Sequence, residues 1–257
     1  MLLLALWLAL WLTIRLQQWG KFLRLDELPE FNRSVLEVMR QPLEDRIISI
    51  SRAKYSTEYP ASFMLVASMN PCPCGYYGHP KKKCVCNEYQ RTHYMSKISG
   101  PLLDRIDLQI EVQPVDFDQL LCKSSAMPNL FEDCRGAANR SHRQMSSKAP
   151  GEPSAAIRQR VIAARMLQER RFKDEPGIHC NAQMTSRLTR QHCQLTNECR
   201  HIMEQAMERL GLSARAYDRI LRVSRTIADL ESSPDIQTHH LQEAITYRSL
   251  DRDSWGR

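Results

Sequence analysis

Two adjacent carboxylates, Asp26 and Glu27, close the short apolar run Phe22-Leu23-Arg24-Leu25. An apolar run ending in acids, with a Pro-marked break at Pro29, suits a buried strand that presents its carboxylates at the carboxyl end. Open α/β sheets place their ligand sites there. An Asp in that position can organise a hydrated Mg²⁺, and the following Glu can orient or deprotonate a water. Acids also favour a helix N-terminus, so the Asp-Glu step alone supports either role. The near-continuous apolar run Phe63 to Met69 fits a second parallel strand, buried on both faces, and it ends in Asn70-Pro71. The Asn70 amide can orient a water beside Glu27 or simply begin a turn. Arg105 lies between Asp104 and Asp107. It either pairs within the chain or is offered across a subunit interface to a γ-phosphate. Arg215 falls in a first helical turn, where a cation opposes the dipole, so it has another reason to be there.

Cysteines form the other chemical cluster. Cys72-Pro73-Cys74 and Cys84-Val85-Cys86 are two C-x-C pairs separated by nine residues. Thiolates bind Zn²⁺ tetrahedrally, and a loop with little core of its own needs such a staple. The spacing is tighter than the usual C-x₂₋₄-C, and His79 is a spare ligand. A structural zinc is the expected state, with a reduced metal-free loop as its alternative. Nine cysteines without disulfide-scaffold spacing fit a reducing compartment, and we expect a cytoplasmic protein.

The elements that must position these groups follow from periodicity. Residues 22–27 read as a strand. Asn32 to Glu44 reads as a helix capped by Asn32, with Pro42 near its end. Arg46–Ser51 and Glu58–Ser62 read as a hairpin whose basic tip carries Arg52 and Lys54. Such a tip is solvated in most settings, or contacts phosphates if pushed into a central pore. Glu88 to Ile98 reads as a helix and Leu108 to Val112 as a strand. Pro114 to Pro153 loses periodicity and reads as a linker. From Ala155 onward the pattern is helical: Ile157, Val161, Ala164 and Leu167 make one apolar face. Further helices run over Cys199–Leu210, from the Ser213 cap, and over Thr238–Tyr247, and the arginines on them read as surface residues.

Apolar residues make up 42% of the 257, enough for a real core. Lys and Arg total 36 against 29 acids, and the net charge of +7 favours a polyanionic partner. Met1 to Leu12 are almost all Leu, Ala and Trp, too short a run to span roughly 30 Å of bilayer. No membrane partner is expected, although a tether through residues 1–14 is a third reading of the chain.

Several runs together carry a family resemblance: LDELPEF (25–31), VLEVMRQPLED (35–45), ISISRA (48–53), MNPCPCGYYG (69–78), CVC (84–86) and SGPLLDRIDL (99–108). In the tail, RVIAAR (160–165), RFKDEPGIHCNAQM (171–184) and LSARAYDRILRVSRTIADLE (212–231) extend it. The chain resembles the magnesium-chelatase-like AAA+ ATPases, the ComM/YifB group. The resemblance implies an α/β fold, here the part of an AAA+ P-loop core from Walker B onward, followed by an α-helical lid. It implies Asp26 and Glu27 as Walker B acids for Mg²⁺ and water, Asn70 as sensor 1, Arg105 as arginine finger and Arg215 as the sensor 2 arginine. Arg52 and Lys54 fall where a pre-sensor hairpin would meet DNA. It also implies ATP hydrolysis in a homo-oligomeric ring, a hexamer, and a DNA helicase or branch-migration motor linked to transformation.

The division that follows is residues 1–21 as an apolar leader outside the family pattern, read as a shifted frame or false start. Residues 22–113 are then a partial core with the Cys-rich loop 72–86, 114–153 a linker, and 154–250 the lid. No G-x-x-x-x-G-K-[ST] phosphate loop occurs in the sequence. Tight ATP binding by this chain alone is therefore not expected, and the chain reads as a truncated form that acts with a full-length homologue. Arg24 also stands where the family has an apolar residue, which would put a charge in a buried strand. The alternative is a non-catalytic fragment whose zinc loop, hairpin and lid bind nucleic acid or a partner.

Overall fold

The computed structural model describes residues 22–52, 55–112 and 152–248. Strand β1 (Phe22–Leu25) pairs in parallel with β4 (Met64–Ala67), in the register Phe22↔Met64 through Leu25↔Ala67. Between them in sequence, β2 (Ile47–Arg52) and β3 (Tyr55–Pro60) form an antiparallel hairpin, with Arg52 opposite Tyr55. Lys54 lies outside the described residues, and Arg52 is placed only by its backbone at the end of β2.

The expected single helix over 32–44 is two: α1 (Arg33–Val38) and α2 (Arg40–Asp45). Asn32 caps the first, its Oδ1 accepting from Ser34 N at 3.0 Å. Pro42 explains the break. Its ring opposes the carbonyl four residues back, at Val38, and the chain steps at Met39 instead. Helix α3 (Glu88–Ser96) opens on a capping box between Asn87 and Gln90, and the short α4 (Gly100–Leu103) on Ser99. A small core of Leu28, Leu36, Ile98, Leu102 and Leu103 joins α1, α4 and the turn after β1.

The C-terminal residues fold as helices throughout: α5 (Ser154–Arg171), α6 (Ser186–His192), α7 (Asn197–Leu210), α8 (Ala214–Leu230) and α9 (Thr238–Thr246). Thr196 caps α7, Gly211 ends it at φ 57°, and Ser213 caps α8 as its position predicts. One continuous core runs through this unit, from Phe172 and Leu188 to Met203, Ile220, Ile236 and Leu241.

Three expectations are corrected. The parallel strands are not buried on both faces: Phe22 is 51% exposed, Met64 57% and Val66 42%. Among the described residues only two strands form this sheet, and the face carrying Phe22, Arg24, Met64 and Val66 is open, while Leu23, Leu25 and Leu65 on the other face are half-buried. Arg24 accordingly incurs no burial cost; its side chain is 71% exposed beside Asp26. Leu108 to Val112 is not a strand. It is extended but has no ladder among the described residues, and it is held through a bond from Gln109 N to Tyr247 O of 2.9 Å. The arginines of α8 are not all surface residues, because Arg225 is buried.

Candidate functional site

The parallel register brings the predicted acids and amide to one end. Beyond Leu25 and Ala67 the two chains stay bonded: Ser68 N donates to Leu25 O and Leu28 N to Ser68 O, each at 2.9 Å. Asp26, Glu27 and Asn70 therefore leave the same edge of the pair, and all three are exposed. Ser68 Oγ donates to Asp26 Oδ1 at 2.9 Å, and Arg24 Nε and Nη2 reach the same oxygen at 3.3 Å. The Ser68 hydroxyl and then Arg24 hold the Asp26 carboxyl below its ordinary value. A carboxylate with a hydroxyl beside it fits a hydrated Mg²⁺, which keeps most of its waters. Arg24 competes for the same oxygens, but through a loose, exposed pair that a cation can replace.

Glu27 sits in the left-handed region, at φ 54° and ψ 55°. This turn lets Leu28 and Pro29 go straight into the core. Tyr94, missed in the sequence, buttresses the other side. It is buried, and its hydroxyl is hydrogen-bonded to the main chain of Asn70. Burial and the nearby Glu30 raise the Tyr94 hydroxyl, which stays protonated. Its signal was present as a tyrosine on the apolar side of α3, but its partner lies in another segment.

The two predicted arginines are brought together on one carboxylate that the sequence did not single out, Glu44. Arg105 is 8% exposed; its Nη1 donates to Pro101 O at 2.7 Å and its Nη2 to Glu44 Oε2. Arg215, in the first turn of α8, reaches the other oxygen of Glu44 with Nε at 3.0 Å. This reach accounts for a cation at that helix start. Burial pushes the Glu44 carboxyl up, but Arg215 and Arg105 outweigh it and hold it low. An open cavity of about 490 Å³ borders this pair, lined by Glu37, Arg40, Gln41, Glu44 and Arg105. The helical unit also grips the residues around Arg105: Arg219 pairs with Asp107, and Arg248 donates to Ile106 O.

The four cysteines 72, 74, 84 and 86 converge, all free thiols with their Sγ atoms within 4.8 Å of one another. Sγ separations are 3.3 Å for Cys72–Cys74, 3.5 Å for Cys74–Cys84 and 3.7 Å for Cys72–Cys84. Zn–S bonds of ~2.3 Å in a tetrahedron require about 3.8 Å between sulfurs, so the set fits Zn²⁺ with small adjustment. Without metal, backbone amides at Tyr76 and Val85 lower the Cys74 thiol to about 6. Desolvation and the neighbouring thiols push Cys86 up to about 12. A bound cation would favour the thiolate forms of Cys84 and Cys86, which burial otherwise disfavours. His79 is not part of the cluster; its Nδ1 accepts from Lys81 N and Lys82 N instead.

Acids at the carboxyl edge of parallel strands, with helices packed beside them, define a chain of mixed α/β class. Residues 14–120 match the family profile described as magnesium chelatase, subunit ChlI, and residues 151–248 match that of the ChlI C-terminal region. The first match begins ahead of residue 22, and its end falls inside the stretch 114–153. The chain is 40% identical over 228 residues to uncharacterized protein YifB of Escherichia coli, covering 89% of this chain and 39% of that one. It is equally 40% identical, with the same coverage, to competence protein ComM of Haemophilus influenzae. An uncharacterized protein of Mycobacterium tuberculosis is 31% identical over 224 residues. The chain belongs to the magnesium-chelatase-like family that includes YifB and ComM. It spans 39% of the length of these relatives. Among the described residues no helix is long and apolar enough to cross a membrane.

Proposed function

We propose that these residues serve a Mg²⁺-dependent ATP-hydrolysing motor that acts on DNA. The observation that carries this reading is the register of β1 and β4, which sets Asp26, Glu27 and Asn70 at one edge. Asp26 would hold the hydrated Mg²⁺, which when bound neutralises charge on the phosphates. Glu27 would take the proton of the attacking water, and Asn70 would orient that water. Arg105 would meet the γ-phosphate of a neighbouring subunit in a ring, a hexamer, with Arg215 beside it. Their shared hold on Glu44 supports a joint role, because one carboxylate and one phosphate present similar oxygens. Arg52 and Lys54 at the hairpin end are the DNA contacts of this reading. A relative bears the name competence protein, which supports a link to competence; a cytoplasmic helicase or branch-migration motor linked to transformation and recombination is the form of that link we propose.

The cradle for the phosphates is not among these side chains, and a ring allows another chain to present the nucleotide to Arg105. Two measurements test the reading. Labelled ATP·Mg²⁺ binding to the chain, lost in Asp26→Asn and Arg215→Ala, sustains a complete site here; no binding by the folded chain overturns it. Mixing with a full-length relative should raise that relative's ATPase rate, and Arg105→Ala should abolish the rise. Co-assembly without a rise sinks the role in trans.

A second reading, a non-catalytic nucleic-acid or partner-binding module, draws on the buried state of Arg105 and the self-contained thiol cluster. It predicts DNA or partner binding unaffected by Asp26→Asn.

A further inference from the structure

The loop 71–87 contains no Asp or Glu, and it carries Lys81, Lys82 and Lys83 in succession. All three lysines are exposed. A solvated lysine run has no scaffold; this one does. The four thiols close the loop from inside, with Cys72 fully buried. Gly75 and Gly78 turn the chain at φ 77° and 76°, where a side chain would be strained. The His79 imidazole then sits under the lysines. Its Nδ1 accepts from Lys81 N at 3.0 Å and Lys82 N at 3.1 Å, which leaves the neutral ring's proton on Nε2 as a donor. Lys82 Nζ lies 4.8 Å from the Tyr76 ring centroid and 3.4 Å from its hydroxyl. Arg91 covers the Tyr77 ring at 4.6 Å. The backbone that carries the lysines is thus fixed as a knuckle by His79 and the thiol cluster, and the Lys82 ammonium is held on Tyr76, before any partner arrives, which lowers the entropy cost of binding one.

We propose that this knuckle is a contact site for the sugar-phosphate backbone of single-stranded DNA, made by Lys81, Lys82 and Lys83 with the His79 Nε2–H. A zinc tetrathiolate formed by Cys72, Cys74, Cys84 and Cys86 would carry a formal charge of about −2, which the three lysines would outweigh to leave net positive charge on the loop. Succession of cations without intervening acids matches a strand of phosphates and needs no base recognition. The knuckle also leads directly from the proposed water-orienting amide. Asn70 is two residues before Cys72, and a Cβ placed on Gly75 would lie 3.9 Å from Asn70 Oδ1. DNA held on the knuckle would therefore bear on Asn70. The site's use in a motor rests on the reading above, but its phosphate chemistry does not.

The test is fluorescence anisotropy of a labelled single-stranded oligonucleotide with the full chain and its K81Q/K82Q/K83Q variant, across a salt series. Each phosphate contact contributes about 0.7 to the slope of log K against log[salt], so the variant's slope should fall by about 2 and its affinity by roughly tenfold at moderate salt. Variant and parent should contain the same zinc. An R52Q variant serves as the hairpin comparison. A lysine variant that binds with the parent's affinity and slope overturns the inference while leaving the DNA reading standing. A parent chain that binds no DNA overturns both. Lysine-dependent binding to anionic phospholipid vesicles, with DNA affinity unchanged, overturns it in favour of a lipid surface. Acetylation footprinting of the unmutated chain gives a second readout: added DNA should protect Lys81 to Lys83 from an amine reagent, and unaltered labelling rejects the site.

Discussion

The two parts of the molecule are stabilised differently. The helical unit, 152–248, buries a continuous apolar core and threads a polar network through it. Asp229, 1% exposed, accepts from Arg171 at 2.5 and 2.7 Å, from Asn181 at 2.8 Å and from Arg225 at 3.1 Å. Arg225 goes on to the carbonyls of Ser233 and Pro234, tying the turn after α8 to the helix. The α/β part, 22–112, has a small core, open strand faces and exposed acids. Its order comes from caps, a parallel register and a thiol cluster. The difference teaches where stability and proposed chemistry reside: the groups suited to react sit where the fold invests least burial.

The largest effect should come from the network. Asp229→Ala leaves Arg171 and Arg225 without their anion, and a broken buried pair costs about 3–5 kcal/mol. Urea unfolding followed by circular dichroism should show the helical signal lost at a much lower midpoint. A small shift would break the comparison at its base. Next come two leucines of equal burial, Leu241 at 0% and Leu36 at 1% exposed. Leu241→Ala should cost about 4 kcal/mol and Leu36→Ala about 2, because the smaller core collapses more readily around a cavity. Equal losses would mean that the α/β core is as tightly constrained as the helical one.

Glu44 joins the two parts, and Glu44→Ala strands the buried Arg105 guanidinium at a cost of about 1–3 kcal/mol. Hydrogen exchange should rise in both 100–107 and the first turn of α8. A change confined to one of them would show that Glu44 is not a link. Acid sharpens the same contrast. Asp229 and Glu44 both have folded pKa values below the ordinary ones, despite burial that opposes ionisation. Their stabilisation is fully present above the unfolded carboxyl value of about 4 and is lost as pH falls through the lowered folded values. Asp229→Asn should flatten the acid limb of the stability curve. Smallest in global terms is metal removal. A chelator should release about one Zn per chain and, by loosening the backbone around the already exposed Lys81–Lys83, speed tryptic cleavage there, while the helical midpoint stays in place.

Local signals read well from the sequence, and tertiary ones did not. Asn32, Ser213 and Gly211 mark helix ends because a cap is a property of a few adjacent residues. The hairpin was legible, but its second strand begins at Tyr55 rather than Glu58 and ends at Pro60, so two residues separate the strands where the reading left six. The four cysteines were legible for the same reason, since their spacing lies within one loop. Glu44 was not, because its meaning comes from partners 61 and 171 residues away. Ser68 and Tyr94 belong with it: an ordinary serine and tyrosine in sequence, they frame Asp26 and Asn70 only once β1 and β4 are in register. Apolar alternation at Leu108, Ile110 and Val112 marked an extended chain, but alternation does not supply a neighbouring ladder. Arg225 misled in the opposite sense, because an arginine on an amphipathic helix is ordinarily at the surface.

Glu27 adopts a backbone conformation that a glycine would take without strain, and a non-glycine residue there gives up on the order of 1 kcal/mol. A laboratory screen that rewarded only heat resistance would therefore drift toward Glu27→Gly, because most proteins lie below their stability optimum. Selection that also demanded the hydrolysis proposed for Glu27 would hold the glutamate against that drift. Position 27 is where the two pressures pull apart, so the residue recovered there would report which of them had acted.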